Sequence, residues 1–196
     1  MTRIFPTLAA TSLGLFLLSI VLGLCIGDLY QDLDSTSSAF RLRGIHMLTG
    51  TATALAVVLV HSIAVTYFIG TSRWCREVTE TYQLAPNSLQ RSNQLKRKTF
   101  PWCVLGMLTV VVVGAMGAAS DPGTGRSDTA SWAGIHQMSA FAGLALIAWT
   151  YYRAWLNIVS NQVVIQQIVD DVAKIRQERG LDDPESAAES PVVNSQ

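Results

Sequence analysis

Long apolar segments alternate with polar segments along this chain. Four apolar segments are long enough to cross a bilayer as helices, at about 1.5 Å per residue. None of them contains Asp, Glu, Lys or Arg, and they cover residues 6–27, 44–70, 101–119 and 132–152. The pattern predicts an all-α fold: an integral membrane four-helix bundle followed by a C-terminal cytoplasmic helix.

The polar segments between the spans are expected to be loops. Pro101 is expected to open the third span, because proline is favoured in the first turn of a helix. The basic stretch 71–99 is expected to be a loop between the second and third spans. The first loop carries three aspartates whose spacing matches no calcium-binding loop, so it is expected to be only an acidic connection: Asp28, Asp32 and Asp34.

Composition and charge support a membrane location and give an orientation. Apolar residues make up 49% of the chain and charged residues 14%, against about 25% charged in soluble proteins. The net charge is zero, which gives no sign of a nucleic-acid surface. Six Lys and Arg residues crowd the stretch 73–98. The positive-inside rule therefore predicts a bacterial inner-membrane protein with both termini in the cytoplasm.

The domain organisation follows from where the apolar segments end. Residues 1–153 are expected to form the bundle from hairpins 6–70 and 101–152, and residues 181–196 a disordered tail. Residues 154–180 are expected to form an amphipathic helix that ends at Gly180. Its apolar stripe predicts contact with another copy of the chain, with a partner membrane or redox protein, or with the cytoplasmic loop: Ile158, Ile165, Ile168, Val172 and Ile175, with Asn161 on the seam.

Two tripeptides ninety residues apart suggest an internal repeat. Gly44-Ile45-His46 and Gly134-Ile135-His136 each open an apolar span. In the same alignment Thr49 meets Ser139. The match predicts two hairpins of one design, related by an axis along the membrane normal.

The repeated histidines are the leading candidate site. His46 and His136 are expected at one depth on facing helices, which is the arrangement that two axial ligands of a haem iron require. The sequence thus predicts haem b as cofactor. Four residues are expected to assist: Gly44 and Gly134 by leaving room for the macrocycle, and Thr49 and Ser139 by supporting the rings. The alternative is that both histidines only hydrogen-bond neighbouring helices.

His61 is a further candidate for contact with a cofactor. It lies fifteen residues beyond His46 in the same span, and its counterpart in the repeat is Tyr151 rather than a second histidine. An ionisable residue inside a membrane span is a functional candidate by default. A hydrogen-bonded interior residue, a proton relay and a quinone contact all remain open for it.

Two functions of different classes fit these patterns. The first is a b-type haem-binding electron-transfer subunit linked to the quinone pool, similar in architecture to four-helix membrane cytochromes. The second is a non-catalytic membrane scaffold or assembly subunit of a larger complex. Because the spans contain no Asp, Glu, Lys or Arg, an ion-coupled transporter is not favoured. Whether the protein is itself an enzyme is left open.

Overall fold

The computed structural model describes residues 1–26, 37–121, 123 and 128–181. Within these residues the chain is helical and contains no strand. The expected acidic loop aspartates and the tail from residue 182 onward lie outside the described residues. The helices are α1 (Ile4–Cys25), α2 (Ser38–Tyr82), α3 (Asn87–Ser120) and α4 (Ala133–Glu178), with a short 3-10 turn at Ala130–Trp132.

Three of these helices are long and apolar enough to cross a membrane: α1, α2 and α3. The fourth, α4, is not among them. Its first turn carries His136 and Gln137, and these polar residues lower the hydropathy of its apolar part. The all-helical fold and the membrane character are therefore confirmed, whereas a fourth span over residues 132–152 stays a prediction.

The helices alternate in direction and pack as a bundle. Each helix packs on the next one in the chain, and both α1 and α2 also pack on α4. The interior is filled mainly by aliphatic and aromatic side chains, such as Phe5, Phe68 and Ile147. Large apolar side chains such as Leu48 and Met138 point outward, which suits a surface that faces lipid. The ends at which α1 finishes and α4 begins lie together, and this end holds the site described below.

The basic stretch 71–99 is helical, so its prediction as a loop was wrong. α2 continues through it to Tyr82, α3 begins at Asn87, and only four residues connect them. Gln83 ends α2 in the left-handed conformation with φ 53°, and the Leu84 N–H donates to the Thr79 carbonyl at 3.0 Å. These contacts close the turn, because they satisfy carbonyls that the end of a helix leaves free.

Pro101 lies inside α3 and does not begin it, which corrects the expected start of the third span. A proline removes one backbone N–H from the helix. The helix nevertheless continues, because residues on both sides of Pro101 are packed: Leu95 and Cys103 belong to the bundle interior or pack against it. α4 likewise runs through residue 153 as one continuous helix to Glu178.

The apolar stripe of the C-terminal part of α4 packs within the chain. Ile158 and Ile168 of the predicted stripe are buried. Val164, which was not part of the predicted stripe, is buried as well and lies with Ile168 beside Cys75 of α2. Ile165 and Val172 are half-buried against the same group. The extended parts of α2 and α3 therefore cover this side of α4. Contact with another copy or a partner protein through residues 158–175 stays a prediction.

A buried polar residue fixes how these three helices meet. The Asn161 side chain is fully buried. Its Oδ1 accepts from Ser92 Oγ at 3.0 Å, and its Nδ2 donates to Thr71 Oγ1 at 3.0 Å and to Tyr67 Oη at 3.3 Å. One amide thus joins α2, α3 and α4, and a shift of one helix along another would leave buried polar atoms without partners.

We expect Asn161→Ala to destabilise the protein by about 2–3 kcal/mol, because it leaves the buried hydroxyl of Ser92 and the half-buried hydroxyl of Thr71 without this partner. The matched control is Gln162→Ala, one residue along on the exposed side of α4, which should change stability little. Thermal unfolding in detergent, followed by circular dichroism, measures both. Equal effects of the two substitutions would contradict the assigned role of Asn161.

Candidate functional site

A large cavity lies between the helices at the end of the bundle where α1 finishes. Its volume is about 970 Å³, and all four helices contribute to its wall. Ligand-binding pockets usually measure about 300–1,000 Å³ and combine apolar walls with a few polar groups. This cavity has that character. Its charged or titratable lining residues are few: Arg43, His46, Asp121 and His136.

The two histidines of the repeated tripeptides meet in this cavity. The rings of His46 and His136 have their centroids 6.2 Å apart, with an angle of 73° between their planes. Both side chains are half-buried. Residues ninety positions apart in sequence are thus brought to one level of the bundle, on α2 and α4.

A backbone carbonyl orients the His46 ring. Nδ1 of His46 lies 2.9 Å from the carbonyl oxygen of Ser19 in α1. Because a carbonyl can only accept, Nδ1 carries the proton and donates. In the neutral ring, Nε2 then keeps a free lone pair. Histidines that bind metals are commonly held in this way, with one nitrogen donating to a carbonyl and the other left for the metal.

The His136 ring lacks such support at one nitrogen. Its Nδ1 is buried and has no hydrogen-bond partner among the described residues, although the Val113 carbonyl of α3 interacts with the ring. Leaving a buried polar atom unpaired costs about 1–3 kcal/mol. Such atoms are uncommon in folded proteins. The other two among the described residues, Ser72 Oγ and Thr79 Oγ1, belong to residues outside the cavity lining, so only His136 Nδ1 is placed where a bound group would pair with it.

Two glycines make room for the rings. A Cβ placed on Gly23 of α1 would lie 3.1 Å from Cε1 of His46, and one on Gly117 of α3 would lie 2.9 Å from Cε1 of His136. Any side chain at either position would therefore press on the ring. Each glycine is on the helix that precedes its histidine's helix.

Of the four residues predicted to assist the histidines, only one lines the cavity. Gly134 lines the cavity, whereas Gly44 is exposed with open space around it. The Ser139 hydroxyl donates at 2.7 Å to the carbonyl of His136 within its own helix, and Thr49 lies outside the cavity lining. The contacts that position the rings come instead from Ser19, Gly23 and Gly117.

His61 lies in a separate, fully buried polar cluster. Its Nδ1 donates to the Val57 carbonyl at 2.9 Å, and its Nε2 lies 3.0 Å from the Thr150 hydroxyl. The ring stacks on Tyr151 at a centroid distance of 4.6 Å and lies against Gly106, where a Cβ would overlap it. Both ring nitrogens therefore have partners, and neither faces the cavity.

An ion pair lies at the mouth of the cavity, and the sequence did not reveal it. Nε and Nη2 of Arg43 donate to the two carboxylate oxygens of Asp121, each at 2.8 Å. The side chains are only 19% and 14% exposed. Burial alone would raise the pKa of Asp121. The hydrogen bonds from Arg43 and from the Gly123 N–H, together with the Arg43 charge, outweigh burial and lower it. The pair joins the start of α2 to the end of α3.

Comparisons with known proteins give no relative: no protein-family model, curated protein or solved structure matches the chain. Among the described residues, no group of three or more His, Cys, Asp and Glu side chains is placed to hold a bare metal ion. What the cavity offers is two facing imidazoles, an apolar wall and one ion pair at its mouth.

We expect the Arg43–Asp121 pair to stabilise the protein at neutral pH and to lose this effect in acid, where Asp121 becomes protonated. The folded-state pKa of Asp121 is below its ordinary value of 3.8. The contribution of the ion pair to stability is therefore complete when the pH is well above 3.8. It disappears as pH falls through the folded-state pKa. Asp121→Asn should therefore lower stability by about 1–2 kcal/mol at pH 7, and the difference from the wild type should shrink below about pH 4.

Thermal unfolding of both proteins across this pH range measures the effect. Asp128→Asn, at an exposed position of the same connection, is the matched control and should match the wild type throughout. A difference for Asp121→Asn that stays constant down to about pH 3 would show that the negative charge of Asp121 contributes nothing to stability.

Proposed function

We propose that the protein is a membrane-embedded b-type haem-binding subunit that carries electrons and is linked to the quinone pool. His46 and His136 are the axial ligands of one haem b in this proposal. The observation that carries it is the pair of imidazole rings, with centroids 6.2 Å apart, within a cavity large enough for a cofactor.

The spacing of the rings fits two ligands on one metal ion. Imidazole nitrogens bind metal ions at about 2.0–2.1 Å. Two rings on opposite sides of one ion then have their centroids about 6 Å apart, when the distance from ring centre to nitrogen is added. The centroids of His46 and His136 are 6.2 Å apart, so a shared ion requires little movement of either helix.

The protonation and the burial of the rings also fit. The Ser19 carbonyl fixes the proton of His46 on Nδ1 and leaves Nε2 for a metal. The buried Nδ1 of His136 has no hydrogen-bond partner among the described residues, so this ring can reorient towards a ligand without breaking a bond from that atom. Gly23 and Gly117 keep the space beside the rings free of side chains. Haem bound here would supply a one-electron redox couple whose potential depends on its ligands and its burial.

The same contacts support the proposed architecture of two repeated hairpins. In each hairpin the second helix carries the histidine, and the first carries the glycine against which its ring lies: Gly23 with His46, and Gly117 with His136. α4 packs along α3, which makes it the fourth span in this proposal. Both termini and the turn at residues 83–86 are then cytoplasmic, and the cavity is near the opposite face.

The scaffold function has less support than the haem function. It depends on an apolar stripe of α4 that needs a covering partner. Two residues of the stripe, Ile158 and Ile168, are already buried within the chain. A specific partner of this face is therefore not required to explain why the stripe is apolar.

The proposed function predicts a specific effect of each histidine. His46→Ala and His136→Ala should each largely abolish the spectrum of reduced haem, because both side chains bind one iron. His61→Ala should keep most of it, since His61 lies outside the cavity. Gln137→Ala, next to His136 in the cavity lining, is the matched control and should also keep it.

Absorbance spectra of the purified, dithionite-reduced variants give the measurement, and size-exclusion profiles show that each variant is folded. A folded His46→Ala or His136→Ala protein with an unchanged spectrum would contradict the assignment. An equal loss from all three histidine variants would contradict it as well.

A further inference from the structure

We propose that Arg43 is the residue that binds a carboxylate of the ligand in the cavity, which is a propionate group if that ligand is haem. This inference rests on the proposed function, and it assigns a role to a residue that haem ligation by the histidines does not use. It follows from the position of Arg43, from the hydrogen-bond donors of its guanidinium that no described residue uses, and from the mainly apolar character of the remaining cavity wall.

Arg43 and His46 are on one face of α2. They are three residues apart, and residues with this spacing are neighbours on the surface of a helix. Both line the cavity. Arg43 is at the mouth, beside Asp121 at the end of α3. A ligand whose centre lies between the histidines and whose edge extends towards the mouth therefore meets the Arg43 guanidinium.

The guanidinium keeps donors for such a group. An arginine side chain has five N–H donors in a planar arrangement. The bonds to Asp121 use Nε and Nη2, and no bond among the described residues uses Nη1. Asp121 holds the guanidinium in one orientation and is a positioning residue, itself held by the Gly123 N–H at 3.0 Å. Since the pair is neutral as a whole, a ligand carboxylate is attracted by directed N–H bonds more than by net charge.

The rest of the cavity wall is suited to the apolar part of a ligand that also carries an acidic group. Arg43 is the only Lys or Arg among the described residues that line the cavity. Most of the remaining wall is apolar or small, as at Phe16, Ile20, Val110 and Ala140. An apolar, flat body with an acidic edge would place its body against these residues and its acid at Arg43.

Two ligands that differ only in their acidic groups test this inference: ferric haem b and its dimethyl ester. Both are titrated into the purified ligand-free protein in detergent and followed by absorbance. The wild type should bind haem about tenfold or more tightly than the ester, because an uncharged ester carbonyl is a weaker acceptor for the guanidinium than a carboxylate and cannot accept two parallel N–H bonds as an ionised carboxylate does. In Arg43→Gln the affinity for haem should fall to that for the ester, whose own affinity stays unchanged.

Arg41→Gln is the matched control, since Arg41 is exposed two residues away, and it should keep the wild-type preference. Arg43→Lys keeps the charge but loses the planar fork, so it should keep part of the preference. It also serves as the test variant if Arg43→Gln does not fold, as judged by size exclusion and thermal unfolding.

The outcomes separate this inference from the function on which it rests. If the wild type binds neither ligand, the haem function fails and the role of Arg43 fails with it. If the wild type binds both ligands equally, only the role of Arg43 fails. If Arg43→Gln weakens both ligands by the same factor, the ion pair merely holds the helices together, and the proposed carboxylate site is overturned.

Discussion

The arrangement of the bundle depends on one constraint: a polar group in its interior must find a partner within the chain, because neither the packed interior nor the lipid around the spans supplies water to replace it. Buried polar groups accordingly form three levels along the bundle. Asn161 joins α2, α3 and α4 at one level. His61 joins α2 to α4 at a second. His46, held by Ser19, and His136 form the third. Each level fixes how the helices are aligned, since a shifted helix would leave these atoms unpaired.

The third level differs from the other two in a way that indicates function. Asn161 and His61 have partners at each side-chain nitrogen, and neither residue lines the large cavity. His136 leaves Nδ1 buried and unpaired among the described residues, and its ring borders the large cavity. Ser72 Oγ and Thr79 Oγ1 also lack partners among the described residues, but of these three atoms only His136 Nδ1 belongs to a residue that lines the cavity. A group bound in the cavity would complete the pairing of this ring. Two facing imidazoles favour a metal-containing cofactor as that group.

Much of this fold was predictable from the sequence, and the failures have clear physical reasons. Apolar segments without charges predict membrane helices, and the ninety-residue offset predicts that His46 and His136 share one level. The stretch 71–99 was wrongly predicted to be a loop because it is rich in charged residues. It is helical because its apolar positions, such as Cys75 and Leu89, pack with α4, a contact that local composition does not reveal. Pro101 misled similarly, since tertiary packing holds the helix together around it.

The site was predictable only at its two histidines. The groups that position the two histidines are determined by the register between neighbouring helices, which the sequence does not show. Gly23 and Gly117 are two of 14 glycines, and only the register of the helices selects them. Ser19 acts through its carbonyl, a group that every residue has, so no sequence pattern marks it. The Arg43–Asp121 pair joins residues 78 positions apart, outside the aligned repeat.

The haem content of the purified protein tests the central claim most directly. The wild-type chain would be extracted from membranes of cells that make haem, purified in detergent and assayed for protohaem by the pyridine method, with its reduced-minus-oxidised spectrum recorded. The account predicts about one haem b per chain and a sharp α-band on reduction. A folded, colourless protein that also fails to bind added haem would contradict it.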